Sequence, residues 1–149
     1  NFSKYLKKYF INRYYQPILH LKLTNKLLSF ANTSIDISDG LISDLEKLIN
    51  KQKFSYKLYM DNIPISKNLK KLIILKKFRK LSCVSRGDDY QILFTASPSK
   101  LGIINKTAKS LGIKISKIGK ICSPTLKSEI YDQKGMKIAL KMKGYYHKF

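Results

Sequence analysis

The sequence predicts an α+β domain: a mixed sheet with helices packed on it. Three observations carry that expectation. Several short segments alternate apolar and polar residues with the period of a strand, as in Phe54, Tyr56, Leu58 and Met60. Others repeat at the period of a helix, as in Leu41, Leu45, Leu48 and Ile49. Neither kind is segregated to one half of the chain, and no internal repeat or Gly/Ser- or Pro-rich linker divides it. At 149 residues with 44% hydrophobic residues, the chain has the length and apolar content of one domain with a core.

The elements follow in order. Residues 2–15 read as a short aromatic-faced helix that ends before Gln16-Pro17. Thr24 is placed as the N-cap of a second helix, Asn25 to Ala31. Thr33 to Ile37 alternates as a strand, and Gly40 opens the helix of the Leu41 stripe. Lys53 to Met60 is a half-buried strand, broken by Ile63-Pro64-Ile65-Ser66. Ser66 then caps a helix expected to reach about Lys80. Tyr90 to Ala96 is a strand, Ser97-Pro98 starts a helix to Leu111, and Gly112 ends it as a C′ glycine. Ile113 to Ile121, Leu126 to Tyr131 and Met136 to Met142 complete the set as strands. The total is five or six strands with three or four helices.

The formal charge is +21, from 30 Lys+Arg against 9 Asp+Glu. Such a charge suggests a nucleic-acid or anionic-membrane binder. Only Arg13, Arg79 and Arg86 are arginine, however, whereas nucleic-acid interfaces favour the bidentate arginine fork. The lysines occur in nearly every segment, as on a solvated surface. The basic stretch 67–81 does not form one amphipathic stripe either. Ile74, Phe78 and Leu81 share one side of the wheel, and Leu69, Leu72 and Ile73 point roughly opposite. A nucleic-acid partner is therefore disfavoured, and a Lys-rich nucleic-acid-binding module is kept as the alternative. No apolar run approaches the ~18 residues of a membrane span, and no signal peptide is visible. Cys83 and Cys122 have no partner at metal spacing and read as buried thiols of a cytoplasmic protein.

The acidic residues are more informative. No Lys or Arg lies between Lys26 and Lys47, where even spreading would place about four. A second stretch, from Leu81 to Ser99, contains only Arg86. The first holds Asp36, Asp39, Asp44 and Glu46, and the second holds Asp88 and Asp89. In the first, Ser34-Ile35-Asp36-Ile37-Ser38-Asp39-Gly40-Leu41 joins a strand directly to a helix. Two carboxylates three residues apart can share Mg²⁺, which bridges phosphate oxygens. The Ser38 hydroxyl and the neighbouring N–H groups at the helix start then reach the phosphate directly. The plainer reading is a helix start capped by Ser38 or Asp39, with Asp36 exposed at a strand end; for the second stretch it is a Gly-Asp turn opening a strand.

Ile35-Asp36-Ile37-Ser38-Asp39-Gly40-Leu41 with Ser43-Asp44-Leu45 resembles the I-D-x-S-D-G-L-x-x-D-L motif of bacterial thiamine-monophosphate kinases. Further segments agree in order. Tyr14-Tyr15-Gln16-Pro17 is similar to the family's Y-L-x-P, with Leu19 and His20 where Pro-Arg is usual. Met60 to Ser66 resembles its D-x-(L/I)-P-(L/I)-S link. Arg86-Gly87-Asp88-Asp89-Tyr90-Gln91-Ile92-Leu93-Phe94-Thr95 resembles G-G-E-D-Y-E-L-L-F-T. Gly144-Tyr145-Tyr146-His147 resembles the G-(aromatic)-x-H-F tail, with Lys148 intervening before Phe149. The family resembles the aminoimidazole-ribonucleotide synthetase superfamily of dimeric, ATP-using enzymes.

The resemblance implies an ATP- and Mg²⁺-dependent phosphotransferase making thiamine diphosphate from thiamine monophosphate. It implies that Asp36 and Asp39 bind Mg²⁺, that Ser38 contacts ATP, and that Asp88 and Tyr145 contact the substrate. No catalytic nucleophile is expected, because in-line phosphoryl transfer depends on positioning and charge neutralisation. Arg86, Asp88 and Gln91 depart from the family's Gly, Glu and Glu, so a non-catalytic relative is the other alternative. Residues 1–149 match the C-terminal half of the family. An N-terminal half that supplies further Mg²⁺ ligands, much of the nucleotide site and the dimer core is absent from them. The chain alone is therefore expected to be incompetent in catalysis, and the opening Asn1 fits the back part of something longer.

Overall fold

The structure, a computed structural model, describes residues 3–50, 53–75 and 78–139. Its elements run α1 (Lys4–Tyr15), α2 (Leu21–Leu27), β1 (Ala31–Asp36), α3 (Leu41–Asn50), β2 (Ser55–Tyr59), α4 (Lys67–Ile74), α5 (Lys80–Val84), β3 (Ile92–Ala96), α6 (Leu101–Leu111), β4 (Gly119–Cys122) and β5 (Glu129–Tyr131). The architecture is α+β, as expected. Helices outnumber the expectation: six α-helices and five strands lie among the described residues.

Two sheets share the work. β1 pairs antiparallel with β3, with Asp36 opposite Ile92. β2 is central in a mixed sheet of order β4-β2-β5, antiparallel to β4 and parallel to β5. α3 carries the strongest helical stripe, and it is buried along Leu41, Ile42, Leu45, Leu48 and Ile49. That stripe packs with Tyr56, Leu58, Met60 and Ile130 into the main core. A second cluster of Leu23, Leu27 and Phe30 gathers Phe94, Ile104 and Ile113 around the other side of β1 and β3. Truncating a buried leucine in either cluster costs about 2–5 kcal/mol.

Local chemistry explains the boundaries that were legible. Ser66 Oγ accepts from Leu69 N–H at 3.1 Å and starts α4. Gly112 adopts the left-handed conformation (φ 63°) after α6, with Ile113 N–H reaching Ala108 O at 3.0 Å.

Several expectations are corrected. α2 begins at Leu21, and Thr24 lies inside it, its hydroxyl donating to Leu21 O at 2.7 Å. The helix expected from Ser66 to Lys80 ends at Ile74, and a separate α5 follows. The divided stripe is the physical reason: Leu72 is buried while Ile74 is 68% exposed, so one straight helix cannot also bury Leu81 and Val84. Phe54 is exposed at the edge of β2 rather than inward. Residues 113–118 are not a strand, because Ile113 and Ile115 turn to the second cluster before β4 begins. Only Glu129–Tyr131 of the next segment is a strand, and Lys137 adds a single bridge to Tyr131. Cys83 and Cys122 are free and half-buried rather than buried. The end of the last expected strand and the Tyr145 motif lie outside the described residues.

Candidate functional site

The β1–β3 ladder does not stop where the strands end. Ile37 N–H donates to Gln91 O at 2.8 Å, Tyr90 N–H to Ile37 O at 2.9 Å, and Asp88 N–H to Ser38 O at 2.9 Å. The two acidic segments, about fifty residues apart in sequence, are thus zipped side by side. Backbone contact continues beyond the last bond. A Cβ on Gly87 would stand 1.8 Å from Ser38 O, and one on Gly40 (φ 116°) would meet the Ser85 and Arg86 backbone at 3.0–3.1 Å. Glycine at both positions is a steric condition of the contact. Asp36, Ser38, Asp39 and Asp88 therefore sit on adjoining backbone. Tyr145 falls outside the described residues.

The loop between β1 and α3 is organised by a residue to which the sequence reading gave no role. Asp44 is fully buried, and its Oδ2 accepts N–H bonds from Ser38 (2.9 Å), Asp39 (2.9 Å) and Gly40 (3.2 Å). These are the N–H groups that the helix-start argument offered to a phosphate. They are turned inward onto Asp44, which leaves the Ser38 hydroxyl and the side chains of Asp36 and Asp39 for the outer surface. The Asp44 carboxylate in turn meets Lys47 Nζ at 2.9 Å through Oδ1, and Lys47 also pairs with Asp39. Both partners hold the Lys47 ammonium above its ordinary pKa, Asp39 first. An acid in the first turn of α3, at a motif position, was the available sequence signal for Asp44; nothing marked Lys47.

On the second segment, Asp88 is exposed and accepts a long hydrogen bond from Tyr90 Oη at 3.4 Å. Asp88 (φ 64°) and Tyr90 (φ 50°) both occupy the left-handed region, a costly conformation for a non-glycine residue. Crowding by surrounding protein, then the Asp88 charge, push the Asp89 carboxyl up to about 6. Asp89 itself stays exposed, so solvent screens part of that effect. His20 and Gln91, both departures from the motif, meet at 3.1 Å. A cavity of about 250 Å³ is lined by Glu46, Tyr56 and Glu129 and includes none of Asp36, Ser38, Asp39 and Asp88.

The donor set suits a hard cation in kind. Asp36 is exposed, Asp39 is partly so, and Asp39 already holds an ammonium, a cationic stand-in. It does not suffice in number: among the described residues, no three His, Cys, Asp or Glu side chains group as a metal cage. A Mg²⁺ here would complete its shell with phosphate oxygens, water and other ligands, the usual way that ion is held.

No protein-family model matches the chain. Among curated proteins, the thiamine-monophosphate kinase of Buchnera aphidicola subsp. Schizaphis graminum is 32% identical over 139 residues. That match covers 93% of this chain and 42% of the relative. The crystal structure of thiamine-monophosphate kinase from Stenotrophomonas maltophilia K279a superposes with a TM-score of 0.75 at 26% identity, over 88% of this chain and 40% of that one.

This chain is homologous to the thiamine-monophosphate kinases. Its α+β fold is the aminoimidazole-ribonucleotide synthetase-like fold of those structures. A further structure, AaThiL complexed with AMPPCP and TMP, matches with a TM-score of 0.71 at 21% identity, over 95% of this chain and 42% of that one. The chain spans about two fifths of the length of the curated kinases it matches. Among its described residues, no helix is long and apolar enough to cross a membrane.

Proposed function

We propose that this chain is the C-terminal part of a cytoplasmic thiamine-monophosphate kinase, which transfers the γ-phosphoryl group of ATP to thiamine monophosphate and forms thiamine diphosphate. The supporting observation is the zipper that sets Ser38 against Asp88, since it joins the segment read as metal- and ATP-binding to the one read as substrate-binding. In this reading Asp36 and Asp39 hold Mg²⁺ and the Ser38 hydroxyl reaches ATP. Asp88 and Tyr145 contact thiamine monophosphate, and the acceptor phosphate is brought toward the ATP side of the same surface.

The chain's own residues do positioning work. Asp44 fixes the Ser38–Gly40 backbone, so the loop that carries Ser38 and Asp39 keeps its shape when metal and phosphate arrive. Tyr90 steadies the Asp88 carboxylate, whose negative charge suits the cationic thiazolium of the substrate. Bound Mg²⁺ would neutralise charge on the transferring phosphoryl group, the main electrostatic need of this chemistry. Asp36 and Asp88, both exposed, fit half of a site. The other half, and a homodimer interface, would come from the N-terminal part that the relatives' greater length contains.

The experiment joins residues 1–149 to the remaining portion of the Buchnera aphidicola relative and measures thiamine diphosphate formed from ATP, Mg²⁺ and thiamine monophosphate. Activity that falls at least 100-fold in Asp36→Ala and in Asp39→Ala supports the reading. Activity unchanged by both substitutions removes these residues from the mechanism.

A further inference from the structure

Asp39 carries its own cation. The Lys47 side chain folds back along α3 onto the loop that precedes the helix, where its ammonium pairs with Asp39 and with Asp44 Oδ1. The two contacts differ in kind. Asp44 is fully buried, and its other oxygen is taken up by three N–H donors, so that end is anchored. Asp39 is 22% exposed and Lys47 48% exposed, so the outer end faces solvent and can exchange. An ammonium is a compact point charge with three donors, and a hard divalent ion seeks the same carboxylate oxygens. Two cations crowded on one carboxylate repel each other, so a metal ion on Asp39 and the Lys47 ammonium oppose each other's binding there.

We propose that Lys47 is the resident counter-cation of Asp39, competes with a divalent metal ion for that carboxylate, and so sets the metal affinity of this loop. The inference rests on the reading of Asp39 as a metal ligand. It gives Lys47 a positioning role: with no metal it holds Asp39 in place, and on metal binding it swings free while Asp44 keeps the backbone fixed. Nothing in the motif around Asp36 and Asp39 requires a lysine eight residues after Asp39.

The test uses Mn²⁺ alone as the probe, with bound ion measured on the 149-residue chain by loss of the free-ion electron spin resonance signal. Lys47→Gln, whose amide can still reach Asp44, is expected to bind Mn²⁺ about three- to fivefold more tightly than the wild type, the scale of a partly exposed ion pair. Lys47→Arg keeps the charge and stays near the wild-type affinity, and Lys47→Gln with Asp39→Asn loses the gain. A measurement that needs no substitution accompanies it: Mg²⁺ shifts the Lys47 side-chain NMR resonance along the same binding curve as the backbone amide of Asp39. Binding unchanged or weakened in Lys47→Gln, yet still abolished by Asp39→Asn, overturns the counter-cation role and leaves Asp39 a metal ligand. Binding that is absent, or untouched by Asp39→Asn, overturns both.

Discussion

His20 Nε2 and Gln91 Oε1 lie 3.1 Å apart across 71 residues of sequence. With the proton on Nε2 the imidazole donates, and the Gln91 amide in turn donates to Asp89 O at 3.2 Å. Each residue stands where the family resemblance expects a charge, arginine at 20 and glutamate at 91. The two departures meet as a hydrogen-bonded pair.

That pairing has a measurable consequence. Gln91→Glu alone adds a carboxylate close to Asp88 and Asp89 and should lower stability. Adding His20→Arg should recover it, with a coupling of about 0.5–1 kcal/mol in a double-mutant cycle read from urea midpoints. Strictly additive effects would mean that the contact carries no energy.

Gly87→Ala should be severe. The new methyl would sit 1.8 Å from the Ser38 carbonyl oxygen, and only backbone movement can relieve that. A loss of about 3 kcal/mol or more is expected from thermal or urea unfolding. Gly102→Ala is the control, because nothing lies within 4 Å of a Cβ near the start of α6; it should stabilise by about 0.5–1 kcal/mol.

Asp44→Ala removes a buried acceptor from three N–H groups at once. A cost of about 3–5 kcal/mol is expected, together with faster amide exchange at Ser38, Asp39 and Gly40. Asp36→Ala, exposed at the strand end, should change stability by about 0.5 kcal/mol or less. Amide exchange followed by NMR separates the two, since only the Asp44 variant loosens the loop.

Glu129 supplies the pH dependence. Lys137 first, and then the Tyr131 hydroxyl, hold its carboxyl at about 2 against an ordinary 4.5. A depressed carboxyl stabilises the folded state fully above the unfolded value and loses that contribution as pH falls through the folded one. Stability should therefore drop between about pH 4.5 and pH 2, and Glu129→Gln should flatten the curve in that window. Denaturation midpoints across the range check the sign.

Much of this was readable from residue order, where local chemistry and long-range packing agree. The α3 stripe, the Ser66 cap and the Gly112 terminus are set within a few residues, so periodicity and cap chemistry sufficed. The break between α4 and α5 was visible only as a stripe that changed sides, because the choice to bend belongs to the core that Leu81 and Val84 must reach. The acidic residues marked the surface, but their neighbourhood across fifty residues rests on strand pairing, which carries no local signal. Asp44 was missed as the hub because a motif position gives no burial, and Lys47 because a single lysine among many is indistinguishable until its ammonium has an address.

In the proposed function the two acidic segments form one phosphate- and metal-binding surface in a strongly basic chain. Mn²⁺-ATP added in trace amounts to the isotope-labelled 149-residue chain tests it through paramagnetic broadening of backbone amides. Selective broadening of residues 36–40 and 86–91 together is expected, abolished by Asp36→Asn with Asp39→Asn. Broadening spread over the lysine-rich helices α1, α4 and α6, with those two segments spared, would contradict it.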